Sequence, residues 1–237
     1  MTPRIAQRRA AKAVSGKRRA ATRRRPTGYV AALAERSRRW ARGPIHSCVM
    51  VEGLFEHGLG LVVLARKTGI GEVAMAAFML DVYCRGVRGA VLDCMSSQEF
   101  DYVLDQMGGA LPWMSVDPSH ARKLLREAAK YAEPLGFMPP RELAAVEALF
   151  GDVNADACDT VFRFGLNGRP CYITSQDDPP SKTRNRLKRL RNRLGKGGFS
   201  FMVPADVLDL VEDEAAWAEF LPDEVLRERG LADEIQF

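Results

Sequence analysis

Residues 73–94 read VAMAAFMLDVYCRGVRGAVLDC, two apolar runs rich in valine, alanine and methionine that are separated by the turn Arg85-Gly86. Two more runs of this kind precede them, and these are also bounded by glycine turns. Short apolar runs that alternate with glycine turns are typical of strands joined by hairpins. The sequence therefore predicts an antiparallel β-meander. Its four strands are expected at residues 46–55, 60–65, 73–84 and 87–94.

Three helices are predicted after the meander, each beginning at a residue typical of helix starts. They run from Ser96 or Ser97 to Met107, from Asp117 to about Glu133, and from Pro139-Pro140 to Phe150. Because the strands group first and the helices group after them, the sequence indicates an α+β fold rather than a βαβ alternation.

The strongest local signal for a turn follows these helices. Asn167-Gly168 stands between the apolar runs at residues 160–164 and 170–173, and both residues tolerate the positive φ that a two-residue hairpin turn requires. The sequence therefore predicts a β-hairpin here. A basic helix from Ser181 to Leu194 and a last short strand at residues 199–203 are predicted beyond it.

We divide the chain into three parts. Residues 1–43 form a basic arm, which has too little apolar bulk for a fixed structure before Pro26 and is therefore predicted to be disordered up to there. The arm ends in a short helix that carries Tyr29, Leu33 and Trp40. Residues 44–203 form the α+β body, and residues 204–237 form an acidic helical tail.

The net charge of +5 hides a strong segregation of charge along the chain. Residues 1–43 hold fourteen Lys and Arg residues and a single acidic one, and residues 182–198 hold eight Lys and Arg residues and no acidic one. Residues 199–237, by contrast, hold two basic and eleven acidic residues. Two basic blocks on an otherwise acidic protein favour a polyanionic partner.

Both basic blocks are predicted to contact nucleic acid. In the basic helix, Leu187, Leu190 and Leu194 form an apolar stripe that can lie on the body, while cations four residues apart repel one another and call for an anion nearby. The predicted nucleic-acid-binding residues are Arg8, Arg9, Lys17, Arg18, Arg19, Arg23, Arg24, Arg25, Arg38, Arg39, Lys182, Arg184, Arg186, Arg189 and Arg193.

We favour RNA over DNA because helix-turn-helix, zinc-finger and zipper motifs are absent from the sequence, and because a disordered arginine-rich arm that folds on its target is a common means of binding RNA. A larger ribonucleoprotein or protein complex is a second partner that such segments fit. The charge pattern also fits three alternatives, which stay open. In the first alternative the acidic tail neutralises the basic helix, and in the second the helix is only a solvated face. In the third the arm is a mitochondrial transit peptide.

Several other classes of protein are disfavoured. No apolar stretch approaches the ~20 residues that a helix needs to cross a bilayer, so we expect no membrane partner. The five cysteines are scattered and form no CxxC pair, which indicates buried thiols in a reducing compartment and a cytoplasmic protein. The sequence has no GxxxxGK[ST] loop and no dinucleotide-binding glycine pattern, and its three histidines lie far apart. We therefore expect no cofactor and no His/Cys metal site.

One candidate for catalysis emerges. Asp81 interrupts the most apolar predicted strand, where an unpaired carboxylate costs free energy. With Asp93 on the next predicted strand and Glu52 on the first, it would form a divalent-metal site of the kind that nucleases use. The simpler interpretation is that Asp81 pairs with Arg85 or Arg88.

Three functions follow from these patterns. The first is a non-enzymatic accessory protein that binds RNA or associates with ribonucleoproteins through its arginine-rich segments. The second is a metal-dependent nuclease, or another nucleic-acid enzyme, that uses Asp81. The third is a protein–protein adaptor whose acidic tail masks its own basic helix.

Overall fold

The computed structural model of the protein describes residues 28–69, 71–108, 111–174 and 178–202, together with Phe220. The arm before Pro26 and the helices predicted for the acidic tail lie outside these residues, apart from Phe220.

The predicted meander is confirmed as the core of an antiparallel sheet. Four strands follow one another along the chain and pair in sequence, and a short fifth strand pairs with the outer side of the first, which gives the order β4-β3-β2-β1-β5. The strands are β1 Ile45–Val51, β2 Leu59–Lys67, β3 Glu72–Asp81, β4 Gly86–Ser96 and β5 Trp113–Ser115.

Both faces of the central strands are buried. Leu64 and Phe78 belong to the apolar cluster on one face, and their neighbours Val63 and Ala77 belong to the cluster on the other. Successive side chains of a strand point to opposite faces, so a strand covered on both sides needs a continuous apolar run. This explains why residues 73–80 contain no polar residue.

The helices lie on both faces of this sheet, and the α+β fold is confirmed. Leu33, Leu124 and Val146 pack into the Phe78 cluster, while Phe100 packs into the Val63 cluster. The helices are α1 Tyr29–Trp40, α2 Leu54–His57, α3 Ser97–Gly108, α4 Pro118–Ala132, α5 Leu143–Glu147 and α6 Pro180–Leu194, with 3-10 turns at Ala148–Phe150 and Ala155–Ala157.

The predicted helix starts hold in two of three cases. The helix α3 begins at Ser97, and α4 is capped by Asp117, whose carboxylate accepts a hydrogen bond of 2.7 Å from the backbone N–H of Ser119. The third helix is shorter than predicted. Instead of beginning at the prolines, α5 begins at Leu143 and then tightens into the 3-10 turn that ends at Phe150.

The predicted hairpin is reduced to its turn. Asn167 and Gly168 have φ values of 54° and 80°, and one antiparallel bridge joins Leu166 to Arg169. The longer ladder does not form, because the preceding run packs its aromatic rings on the body instead. Phe162 stacks on Phe55 with ring centroids 5.9 Å apart, and Phe164 stacks on Tyr131 at 5.0 Å.

The following run pairs elsewhere. Strand β6 (Cys171–Ile173) is parallel to β7 (Ser200–Met202), and α6 lies between them in the chain. Two parallel strands need a crossover of a dozen or more residues, usually a helix. The basic helix is therefore the crossover of a small βαβ unit, and this role fixes its position on the body.

Within the described residues, no helix combines the length and apolar character that a membrane span requires.

Candidate nucleic-acid interface

Helix α1 presents a cluster of exposed arginines next to the basic arm. It buries Leu33 and Ser37 on one side, and it exposes its three arginines on the other, together with an arginine just beyond its end. These exposed residues are Arg36, Arg38, Arg39 and Arg42. Cations at the C-terminal end of a helix interact favourably with its dipole, so the cluster stands where the helix itself favours it.

The α1 cluster is held on a rigid support. Leu33 is 3% exposed in the main apolar cluster, and α1 packs along α5. After the helix, the chain turns into β1 at Gly43, where a Cβ atom would lie 1.8 Å from the backbone oxygen of Lys67. Arg36 and Arg39 also place their guanidinium groups 4.7 Å and 5.6 Å from the centre of the Trp40 ring. The arginines of α1 are therefore presented on a fixed surface.

The basic helix α6 docks on the body through its predicted apolar stripe. Leu187 and Leu190 are fully buried in a third apolar cluster, separate from the Phe78 and Val63 clusters. This cluster also contains Phe199 and Tyr172, and Leu194 packs at its edge. The opposite side of α6 is exposed, including Arg184 and Lys188.

Several of the α6 cations predicted to bind nucleic acid form hydrogen bonds with the body. Lys182 donates to Asp178 (3.1 Å), and Arg186 donates to the same carboxylate and to the Tyr172 hydroxyl (2.9 Å). Arg189 and Arg193 donate to the backbone oxygens of Gly136 (2.8 Å) and Pro134 (3.0 Å). A large part of the positive charge of α6 therefore serves packing.

The partners of these cations explain how α6 tolerates its own charge. Pro134 and Gly136 lie just after the C-terminal end of α4, where carbonyl groups lack helical partners and attract cations. The acidic partner, Asp178, stands two residues before α6. Burial alone would raise the pKa of the Asp178 carboxyl, but the Lys182 and Arg186 cations outweigh this effect and hold the pKa below its usual value.

Asp81 forms a buried ion pair with Arg85, which is the simpler of the two sequence interpretations. Asp81 is completely buried at the end of β3; one carboxylate oxygen accepts the Arg85 Nε–H (2.6 Å), and the other accepts the Cys84 N–H (2.9 Å). Arg85 also donates to the Ile173 backbone oxygen (3.0 Å) and lies 3.5 Å from Asp178. A chain of alternating charges, Asp81–Arg85–Asp178–Arg186, thus joins the sheet to α6.

The three carboxylates considered for catalysis are not brought together. In the β3–β4 register, Asp81 lies opposite Gly86, while Asp93 lies opposite Met75. Six residues of β3 therefore separate the two levels, or about 20 Å at 3.3–3.4 Å per residue. Asp93 is exposed, and Glu52 is exposed beyond the end of β1, two strands away from β3. Among the described residues, no group of three or more His, Cys, Asp or Glu side chains is arranged to hold a metal ion.

The cysteines lie as single thiols in the fold. All five are free, and four of them are buried. Burial raises the pKa of Cys48 to about 12, so this thiol stays protonated at neutral pH. Their environment agrees with the structural role predicted from the sequence.

Two further arginines extend the α1 cluster into the body. Arg66 of β2 and Arg122 of α4 line an open groove of about 680 Å³ together with Arg38 and Arg42. Neither residue belongs to the predicted binding set, because each is a single cation within an ordinary strand or helix pattern. They come beside the predicted binding residues because α1 packs against α5 and the 3-10 turn at Ala148–Phe150.

The remaining predicted nucleic-acid-binding residues, from Arg8 to Arg25, lie outside the described residues. No known family model matches the sequence, and the searches of curated proteins and of solved structures find no match either. The surfaces of this protein are therefore the basis of its proposed function.

Replacing Asp81 by asparagine tests its structural role. The variant Asp81→Asn keeps the shape of the side chain but removes the charge that pairs with Arg85, so we expect the free energy of unfolding to fall by about 1–3 kcal/mol. The measurement is urea denaturation followed by circular dichroism. Asp93→Asn is the matched control, because Asp93 is exposed and its carboxylate accepts a hydrogen bond from the N–H of the next residue. Equal stability of both variants and the wild type would contradict the structural role.

Proposed function

We propose that the protein binds RNA through the cations of residues 1–43, with the outer side of α6 as a second contact. The observation that carries this proposal is the surface of α1. Helix α1 is fixed on the body by Leu33 and exposes Arg36, Arg38 and Arg39, and Arg42 is exposed just beyond its end. The preceding residues 1–28 hold ten further Lys and Arg residues and no acidic one.

Phosphate contacts are the chemistry that such a surface performs. Each Lys or Arg that reaches a phosphate releases condensed counterions. The logarithm of the affinity therefore falls linearly with the logarithm of the salt concentration, with a slope near −0.7 per contact on single strands. These contacts position a nucleic acid without reading its sequence. An anchoring role therefore fits this surface better than the recognition of a specific sequence.

The preference for RNA over DNA rests on the sequence patterns, as do the cytoplasmic location and the association with a ribonucleoprotein. The nuclease alternative has no geometric support, because Asp81 is buried in an ion pair and lies far from Asp93.

One observation favours the adaptor as a second candidate. Phe220, which belongs to the acidic segment, is 2% exposed in the cluster that contains Leu187 and Leu190 of α6. Residues 199–237 hold eleven acidic and two basic residues, so this part of the chain has the charge to compete with an external polyanion for the cations of α6. In this candidate function, a partner that displaces the segment would expose α6.

The α1 surface is tested by removing two of its charges. We expect Arg36→Gln with Arg39→Gln to make the slope of log affinity against log salt less negative by about 1.4, which corresponds to two lost contacts on single-stranded RNA. Fluorescence anisotropy with a labelled single-stranded RNA at several salt concentrations measures the slope.

The matched control for this test is Lys130→Gln with Arg141→Gln, which removes the same charge from exposed residues elsewhere on the body. If both double variants change the slope equally, net charge and not α1 controls binding. If the wild type shows no salt dependence, RNA binding through phosphate contacts is excluded.

The adaptor candidate is tested by Phe220→Ala, which leaves the net charge unchanged. If the acidic segment masks α6, the affinity for RNA rises when this anchor is lost. Masking also predicts a higher affinity after truncation at Val203, but this truncation increases the net charge by nine. The charge-neutral Phe220→Ala variant is therefore the decisive one. An unchanged RNA affinity of a folded Phe220→Ala variant would contradict masking.

A further inference from the structure

The groove beside α1 is walled by arginines. It lies where the C-terminal end of α1, the Gly43 turn, the end of β2 and the Gly151 turn meet. Four guanidinium groups line it, and Asp152 supplies the only carboxylate among its lining residues. The four arginines are Arg38, Arg42, Arg66 and Arg122.

Arg66 is the central observation. Its side chain is 6% exposed, and its terminal nitrogens donate to the backbone oxygens of Gly43 (2.6 Å) and Phe150 (2.7 Å). Its Nε atom is buried and has no hydrogen-bond partner. The nearest carboxylate, that of Asp152, lies 3.8 Å away and is itself 99% exposed to solvent. Water therefore screens the charge of Asp152, which offsets little of the charge of Arg66.

A second buried arginine shows how this protein neutralises such a group when the purpose is structural. The side chain of Arg85 is 4% exposed, and the two carboxylates beside it, Asp81 at 2.6 Å and Asp178 at 3.5 Å, are both buried. A buried charge is unfavourable unless it is paired, and burial accordingly lowers the pKa of Arg66. Arg66 thus resembles Arg85 in burial but lacks its buried counter-charges.

The neighbouring arginines add to this excess of positive charge. Arg122 is held at the groove by hydrogen bonds to Glu147 (3.0 Å) and to the backbone oxygens of Gly151 (3.0 Å) and Val153 (2.6 Å). Glu147 is shared with a second arginine, Arg126, at 2.7 Å, so one carboxylate serves two guanidinium groups. Arg38 and Arg42 also line the groove and are exposed.

We infer that this groove binds a phosphomonoester group. A guanidinium group matches two phosphate oxygens at once, and several guanidinium groups around one position suit a dianionic, tetrahedral oxyanion better than a single carboxylate. The volume of about 680 Å³ is large enough for the nucleoside that carries the phosphate. The phosphomonoester is either the 5′-terminal phosphate of a nucleic-acid strand or a small molecule such as a nucleoside monophosphate.

The groove shares Arg38 and Arg42 with the surface proposed to bind RNA, but Arg36 and Arg39 are not among its lining residues. It would bind phosphate even if RNA did not bind, and the exposed α1 cluster would bind RNA even if the groove were inert. The two proposals therefore fail separately.

The test uses the full chain and three probes: inorganic phosphate, adenosine 5′-monophosphate, and one RNA oligonucleotide with either a 5′-phosphate or a 5′-hydroxyl. A ligand that binds only the folded state raises the melting temperature. We expect inorganic phosphate to raise that of the wild type relative to chloride at the same ionic strength, and the variant Arg38→Gln with Arg42→Gln to lose this shift. Lys130→Gln with Arg141→Gln should retain it.

The RNA probes distinguish the two sources of the phosphate. At least tenfold tighter binding of the 5′-phosphorylated strand than of the 5′-hydroxyl strand would show that the groove holds a strand terminus. Equal binding of both strands, with a shift by adenosine 5′-monophosphate that requires Arg38 and Arg42, would show that it holds a small phosphomonoester.

Two outcomes would overturn the inference. One is the absence of any phosphate-specific stabilisation of the wild type, and the other is an undiminished shift in the Arg38→Gln, Arg42→Gln variant. Because both residues are exposed, this variant folds whether or not Arg66 itself tolerates replacement. Arg66→Lys serves as a second variant, since it keeps the charge but loses the planar group, and it should weaken phosphate binding while it remains folded.

Discussion

The buried ion pair between Asp81 and Arg85 connects the end of the five-stranded sheet to β6 and to the segment before α6. Asp81 ends β3, and Arg85 stands in the turn to β4, where it reaches the Ile173 carbonyl of β6 and the Asp178 carboxylate before α6. Arg186 of α6 then closes the chain of charges on Asp178. Each of these groups would be unfavourable in the interior by itself, and together they add to the apolar contacts of Leu187 and Leu190 in holding α6 on the body.

This network shows that the arginines of α6 and those of α1 have different roles. The arginines of α6 that appear as a binding stripe in the sequence are, in large part, bonded to Asp178 and to the carbonyls at the end of α4. The arginines of α1 face solvent, and Arg66 lies buried without a buried acid beside it. The arginines of α6 at the C-terminal end of α4 are therefore structural. The arginines around Arg122, near the N-terminal end of α4, are available to a ligand.

The features predicted correctly from the sequence are those that depend on local spacing. The meander, the Asp117 cap and the leucine stripe of α6 follow from periodicity and turn chemistry within a few residues. The separation of Asp81 and Asp93 also follows from the sequence, although it was not predicted. A turn at Arg85-Gly86 fixes a hairpin register in which Asp81 lies beside the turn and Asp93 lies far from it. The parallel pairing of Cys171–Ile173 with Ser200–Met202 and the Arg66 groove depend on contacts between distant segments, which leave no local pattern.

The division between structural arginines and ligand-binding arginines is tested most directly by arginine-selective dicarbonyl modification, with mass-spectrometric quantification at each residue, in the presence and absence of saturating RNA. We expect Arg85 to be unreactive in both states, and Arg36, Arg38, Arg39 and Arg42 to react in the free protein and to be protected by RNA. The opposite pattern, in which the α1 arginines stay reactive with RNA bound and protection is confined to α6, would contradict this division.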